Sequence, residues 1–113
     1  MKTIEKPWGY EKIWAITDKY VGKLIHINEG KQLSLQYHKV KDESVYVLFG
    51  RLTIILQSGS VILEEGTSYR IVPNEIHRFA AKDGMVEIIE VSTPELDDIV
   101  RLEDDYGRVN AKV

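Results

Sequence analysis

Turn-forming residues recur every few positions along this chain, and this spacing is the strongest constraint on its fold. Between residues 22 and 92 they separate eight short runs that are rich in Val, Ile, Leu and Tyr. The runs span residues 23–27, 33–38, 44–49, 52–56, 61–63, 69–72, 77–80 and 86–91. Runs of this kind are typical of β-strands, and their regular spacing predicts an all-β sandwich or barrel. The remaining stretch, residues 95–105, is expected to form one helical turn or a loop.

The length and composition limit the classes of function. A chain of 113 residues predicts one domain, residues 1–113, and the absence of cysteine excludes disulfides, thiolate zinc sites and iron–sulfur clusters. Six acids and one base lie in residues 95–105, and the rest of the chain has 12 acids and 14 bases. This weak, scattered positive charge predicts no nucleic-acid partner but suits a small anionic ligand.

No segment predicts membrane insertion or secretion. The longest apolar run has five residues, from Val45 to Phe49, and no apolar stretch follows Lys2. We therefore expect no membrane partner and a cytoplasmic location.

The run 33–38 has two different faces. Strand geometry places Ser34, Gln36 and His38 on one face, whereas Leu33, Leu35 and Tyr37 lie on the other. This pattern fits a small barrel with a partly polar interior. The apolar outer face then needs cover from another sheet, a terminal segment or a second subunit, and we predict a homodimer.

Four side chains are candidate metal ligands. Gln36 and His38 point the same way, about 7 Å apart along the strand. Glu43 follows a short turn, and a hairpin there would bring it opposite them; His77 follows a second turn, at residues 73–76. Two imidazoles, a carboxylate and an amide oxygen suit a divalent transition metal. We predict zinc, with Mn, Co, Ni or Fe as alternatives.

The same residues carry a resemblance to a known family. Gly30 to His38, then Glu43 and Gly50, resemble the first cupin motif, while Gly66, Pro73 and His77 resemble the second. The chain more closely resembles the cupin domain of type II phosphomannose isomerases. That likeness rests on Lys6-Pro7-Trp8-Gly9, Leu33-Ser34-Leu35-Gln36, Ile76-His77-Arg78, Ile89-Glu90-Val91 and the string from Asp97 to Arg108.

The resemblance implies a fold, a reaction and a ligand set. The fold is a cupin barrel, the double-stranded β-helix of jelly-roll type. The reaction is the metal-dependent aldose–ketose isomerisation of mannose 6-phosphate to fructose 6-phosphate, through a metal-stabilised enediolate. Gln36 is implied as a ligand where a generic cupin has histidine. The family's domain usually follows a GDP-mannose pyrophosphorylase, which these residues lack, so nucleotidyl transfer is not expected.

Several side chains are candidates for binding a sugar-phosphate substrate. Lys23 either contacts the phosphate or extends to the barrel rim. Arg101 either binds phosphate or forms a surface ion pair. Arg78 either binds substrate or pairs with a carboxylate such as Glu90, and Ser34 is expected to line the pocket.

The catalytic base is left open between Glu90, Lys39 and a metal-bound water. Two alternative functions also remain. Two histidines and one carboxylate form the facial triad of non-haem Fe(II) oxygenases. A cupin of this kind could also bind a sugar or metabolite without catalysis.

Overall fold

The computed structural model describes residues 1–109, which form eleven β-strands. They are β1 (Lys2–Lys6), β2 (Gly9–Ile16), β3 (Val21–Ile27), β4 (Leu35–Tyr37), β5 (Glu43–Phe49), β6 (Leu52–Leu56), β7 (Gly59–Leu63), β8 (Ser68–Ile71), β9 (His77–Ala80), β10 (Val86–Ser92) and β11 (Val100–Glu103). Within this range, no helix is long and apolar enough to cross a membrane. The prediction of an all-β chain is confirmed.

The strands form two antiparallel sheets that face each other. The six-stranded sheet has the order β1-β2-β3-β10-β5-β8, and the five-stranded sheet has the order β11-β4-β9-β6-β7. Because neighbours in each sheet are often distant in sequence, the chain crosses between the sheets repeatedly. This topology brings side chains from separate parts of the sequence into one interior.

The inward face of the six-stranded sheet changes from apolar to polar along its strands. On β10, Ile88 lies beside Ile25 of β3 and Val47 of β5, and all three are in the hydrophobic core. Two residues farther along β10, Glu90 lies beside Lys23 of β3, and both are buried. The core therefore fills one end of the barrel, and buried polar side chains collect at the other end.

The eight predicted runs all form strands, and the structure adds three more. β1 and β2 were missed because charged residues interrupt their apolar pattern. β11 occupies part of the stretch expected to be a helical turn or a loop. It pairs with β4 at the edge of the five-stranded sheet, where the exposed Leu102 and Glu103 can remain in water.

The predicted hairpin between residues 38 and 43 is wrong. β4 pairs with β9 and β11, whereas β5 pairs with β10 and β8 in the other sheet. The chain therefore crosses between the sheets here, because Val45 and Val47 pack into the core from the six-stranded side. Glu43 meets His38 across the barrel rather than along a hairpin.

The N-terminal tryptophans do not cover the outer face of β4. Trp8 belongs to the core, and Trp14 packs over Gly22 on the other sheet. Leu35 and Tyr37 are half-buried within the single chain. The homodimer therefore stays a prediction.

Candidate metal centre

Three buried side chains converge at the polar end of the barrel. His38 follows β4 directly, Glu43 begins β5 and His77 begins β9. The His38 Nε2 atom lies 2.8 Å from Glu43 Oε1, and His77 Nε2 lies 3.5 Å from the same oxygen. One ligand atom from each residue lies within 4.8 Å of the other two, and all three residues are at most 3% exposed.

Backbone carbonyls orient both imidazoles for ligation. His38 Nδ1 lies 2.6 Å from the carbonyl oxygen of Asp98, and His77 Nδ1 lies 2.8 Å from that of Glu75. A carbonyl oxygen only accepts hydrogen bonds, so each Nδ1 carries the proton. In the neutral imidazole, Nε2 is then the atom with a free lone pair, which is the form that binds a metal.

The arrangement calls for a cation between these atoms. His38 Nε2, His77 Nε2 and Glu43 Oε1 are buried and have no hydrogen-bond partner. Three acceptors this close repel one another unless a proton or a metal ion lies between them. The two-nitrogen, one-oxygen set fits a divalent transition metal, and the residues present therefore fit the predicted cofactor.

Gln36 lies beside this group on the cavity wall. It is directly opposite His77 in the pairing of β4 with β9, and its Oε1 accepts a hydrogen bond from Ser34 Oγ at 2.5 Å. An amide oxygen has a second lone pair, so this bond leaves one acceptor position available. Its role as a fourth ligand stays a prediction.

A buried lysine lies beside two carboxylates, Glu43 and Glu90. Lys41 Nζ lies 3.4 Å from Glu90 Oε2 and 4.0 Å from Glu43 Oε2. Burial favours a lower pKa for Lys41, but the charges of Glu90 and Glu43 outweigh it and raise the pKa. Burial and the adjacent charge of Glu43 raise the pKa of Glu90 to about 8.

The two carboxyl groups, Glu43 and Glu90, therefore differ in their protonation state. Burial favours a higher pKa for Glu43, but its close contacts with Glu90, His38 and His77 and the charge of Lys41 outweigh it and hold the pKa well below its ordinary value. Glu43 is thus the ionised carboxylate and Glu90 the protonated one at neutral pH.

Basic side chains line the same cavity. Lys23 Nζ lies 3.5 Å from Glu11 Oε1. Arg101 belongs to β11 and Lys6 to β1, and both line the cavity. Burial lowers the pKa of Arg101, and the positive charge of nearby Arg108 lowers it further. Among the described residues, five basic and three acidic side chains line this cavity. The wall is therefore suited to an anion.

The comparisons with known proteins agree with this geometry. The family described as "Mannose-6-phosphate isomerase C-terminal" matches residues 1–104. The chain belongs to this family. This match confirms the resemblance to the phosphomannose isomerase cupin domain that the sequence motifs indicated.

Curated relatives of this family domain are much longer proteins. The alginate biosynthesis protein AlgA of Pseudomonas aeruginosa is 33% identical over 109 residues, covering 93% of this chain and 23% of that protein. The mannose-1-phosphate guanylyltransferase ManC of Salmonella typhimurium is 33% identical over 113 residues, covering 96% and 23%. The chain thus spans less than a quarter of the length of these relatives.

Solved structures confirm that this family domain has a cupin fold. KdgF from Halomonas sp. superposes with a TM-score of 0.76 at 19% identity, covering 84% of this chain and 89% of that one. A cupin-superfamily sugar phosphate isomerase from Silicibacter pomeroyi gives 0.72 at 19% identity, covering 85% and 66%. The double-stranded β-helix prediction is therefore correct, and the chain is a sugar-related cupin.

Arg78, a candidate for substrate binding, and Lys39, a candidate catalytic base, lie away from the cavity. The Arg78 guanidinium donates to the backbone carbonyls of Leu33 and Glu103 at 2.8 and 3.2 Å, because it points to the opposite side of β9 from His77. It does not pair with Glu90, and it connects β9 to the segment before β4 and to β11. Lys39 is exposed on the turn after His38. Neither residue is among those that line the cavity.

Sequence reasoning missed several residues that the structure places at the site. Lys41 shares strand parity with Glu43, a signal that was available, but residues 39–42 were interpreted as a turn. Lys6 and Arg108 line the cavity from opposite ends of the described chain, and only the tertiary fold brings them together. Arg108 is held by Asp104 at 2.9 and 3.0 Å.

Asp98 was also missed, although it lies in the family string. Its carboxylate accepts hydrogen bonds from the backbone N–H groups of Lys39, Val40 and Lys41 at 2.7–3.0 Å. Burial favours a higher pKa for Asp98, but these donors outweigh it and lower the pKa.

Proposed function

We propose that this protein is a divalent-metal-dependent aldose–ketose isomerase of a sugar phosphate, with mannose 6-phosphate and fructose 6-phosphate as the pair. One observation carries the proposal: a single cavity is lined both by basic side chains and by His38 and Glu43, which form a buried group with His77. The membership in the mannose-6-phosphate isomerase C-terminal family supports the same reaction. The structural neighbour from Silicibacter pomeroyi, which is named a sugar phosphate isomerase, adds support for this reaction class.

His38, Glu43 and His77 would hold the metal, with Gln36 as the candidate fourth ligand. A divalent cation bound there would supply Lewis acidity toward the oxygens on C1 and C2 of the sugar. The backbone carbonyls that fix the two Nδ1–H groups keep both Nε2 atoms free for ligation.

The basic wall would bind the phosphate. Lys23 and Arg101, the two phosphate-binding candidates from the sequence, line the cavity, and Lys6 and Arg108 add two further cations. Burial lowers the pKa of Lys6, and the positive charges of Lys23, Arg108 and Arg101 act in the same direction against Glu11. A phosphate dianion would relieve this repulsion between like charges.

Of the two side chains that are candidates for the base, Glu90 and Lys39, Glu90 is the better placed. Isomerisation requires a base that removes the C2 proton of the aldose and returns it to C1, while a proton moves from the C2 hydroxyl to the C1 oxygen. Glu90 lines the cavity with a pKa of about 8, so the fraction that is ionised near neutral pH can accept the C2 proton and the protonated form can return it. The exposed Lys39 would lack this proximity.

The test is an isomerase assay on mannose 6-phosphate. The protein is stripped with a chelator and reloaded separately with Zn²⁺, Mn²⁺, Co²⁺ or Ni²⁺. We expect fructose 6-phosphate to form with at least one metal, and we expect His77→Ala to abolish its formation. His26→Ala is the matched control, because His26 pairs with Glu87 away from the cavity. No conversion at any metal loading, with ligand binding intact, would favour a non-catalytic sugar-binding cupin.

The ligand set also supports a second candidate function. Two histidines and one carboxylate can form the facial triad of non-haem Fe(II) oxygenases. Oxygen uptake by the Fe(II)-loaded protein in the presence of a sugar phosphate would favour that function over isomerisation.

A further inference from the structure

Four hydrogen bonds connect Asp98 to the turn that joins two of the candidate metal ligands. The Asp98 carboxylate accepts the N–H groups of Lys39, Val40 and Lys41 at 3.0, 2.7 and 2.8 Å. The Asp98 carbonyl oxygen lies 2.6 Å from His38 Nδ1. These contacts all fall on His38 or on the three residues that follow it toward Glu43.

Two of the turn's three backbone donors do not require this carboxylate, whereas the third belongs to Lys41, which is buried. Lys39 and Val40 are exposed, so water could accept from their N–H groups. A carboxylate that accepts from three consecutive amides instead restricts the conformation of the turn. It therefore also acts on position, because His38 and Glu43 adjoin strands of different sheets and this short crossing connects them.

We propose that Asp98 is a positioning residue for the metal centre: it fastens the crossing at residues 39–41 and orients the His38 imidazole, so that His38 and Glu43 reach ligating distance together. The inference goes beyond the isomerase function and depends only on metal binding at this site.

Through the same contacts, metal binding at His38 should in turn stabilise the segment that contains Asp98. A cation on Nε2 makes the Nδ1–H group of His38 a stronger donor to the Asp98 carbonyl. Metal binding should therefore reduce the local opening of the segment from residue 95 to residue 103, which includes β11 and Arg101.

The first experiment measures Co²⁺ affinity by competition with a chromophoric chelator. Asp98→Ala is expected to weaken Co²⁺ binding by about 10- to 100-fold, the usual effect of removing a group that orients a ligand. Its visible d–d absorption should also change, since a displaced His38 alters the coordination. Asp97→Ala is the matched control: it removes the same charge from an exposed neighbour and should leave affinity and spectrum unchanged.

Asp98→Asn separates positioning from folding. It keeps one carbonyl acceptor in the side chain, so its Co²⁺ affinity should lie between those of the wild type and Asp98→Ala. Melting temperatures of the metal-free variants show whether the losses follow stability. Wild-type affinity and spectrum in Asp98→Ala would overturn the proposal, and so would equal losses of affinity in Asp98→Ala and Asp97→Ala.

Amide hydrogen exchange of the wild type covers the case in which Asp98→Ala does not fold. Co²⁺ should slow exchange across residues 95–103, and unchanged exchange there would overturn the proposal. A wild type that binds no Co²⁺ would also overturn it. A protein that binds Co²⁺ as described but does not isomerise mannose 6-phosphate would contradict the proposed function alone.

Discussion

At the scale of single residues, the two ligand histidines make a direct prediction about metal binding. His38→Ala and His77→Ala should each abolish stoichiometric Zn²⁺ binding, because each removes one of few protein ligands. Both side chains lie outside the hydrophobic core, so a folded β-protein should remain. Metal analysis and circular dichroism test both statements. One metal per chain bound at unchanged affinity in either variant would contradict the ligand set.

The basic wall makes a second prediction, about phosphate recognition. Lys23→Ala and Arg101→Ala should each weaken mannose 6-phosphate binding by about 10- to 100-fold, because a charge-assisted hydrogen bond contributes roughly 1.5–3 kcal/mol. Binding of mannose should change little, since it has no phosphate, and the metal content should stay constant. Calorimetric titrations with both sugars measure these effects. Equal losses for both sugars would assign the two residues a structural role.

Glu90 makes a third prediction, about pH and stability. Its pKa in the folded protein is about 8, against an ordinary value of 4.5, so the folded state binds its proton more tightly than the unfolded state. This contribution to stability is complete below pH 4.5 and is lost as the pH rises through 8. The metal-free wild type should therefore lose more melting temperature between about pH 5 and pH 8 than Glu90→Gln. Parallel melting curves for the two proteins would contradict the prediction.

The sequence predicted the candidate metal ligands better than the residues around them. Strand parity and the cupin motifs led to His38, Glu43 and His77, and these residues do lie together. Lys41 was missed because a short connection was interpreted as a turn, although Lys41 points inward with Glu43. Arg78 was misplaced because adjacent residues on a strand point to opposite sides.

At the scale of the elements, backbone contacts between strands make a fourth prediction. Gly9 begins β2 with φ +153°, and a Cβ there would lie 2.0 Å from the carbonyl oxygen of His26 on β3. Gly59 begins β7 with φ +140°, but a Cβ there would meet nothing within 4 Å. Gly59→Ala should therefore carry only backbone strain, of about 1–3 kcal/mol, whereas Gly9→Ala adds a clash and should cost more. Urea unfolding compares the two, and equal losses would contradict the clash.

The sequence predicted the positions of strands correctly where an apolar composition marks them. It did not predict correctly which strands pair with each other. The run 52–56 forms β6 with the predicted ends because it is apolar and lies in the core. Pairing depends on contacts between distant segments, so the sequence did not indicate that β4 and β5 join different sheets. β11 illustrates the same limit, since its strand forms only against the edge that β4 provides.

At the scale of the whole molecule, exposed apolar side chains make a fifth prediction, about assembly. Trp14, Tyr46, Leu48 and Val91 are 45–50% exposed on strands of the six-stranded sheet. The sequence predicts a homodimer through the outer face of β4, which belongs to the five-stranded sheet, whereas these exposed side chains favour a contact through the six-stranded sheet. For a dimer through the six-stranded sheet, sedimentation should give twice the chain mass of 13.0 kDa, and Leu48→Lys should restore the monomer. Ile62→Lys is the control, because Ile62 is 56% exposed on the other sheet. A wild-type monomer at micromolar concentration would contradict the dimer.

Along the inward face of the six-stranded sheet, the side chains change from apolar to polar. This change matters for how the protein can evolve and be engineered. Val47 and Ile88 belong to the core that holds the two sheets together, and neither of them lines the cavity. Exchanging Gln36 or Lys23 can therefore adapt the open end of the barrel to another metal or another anion while the packed end stays intact. A lineage that diversifies its chemistry in this way keeps its tolerance to mutation, and a designer can search the same few positions without first redesigning the scaffold.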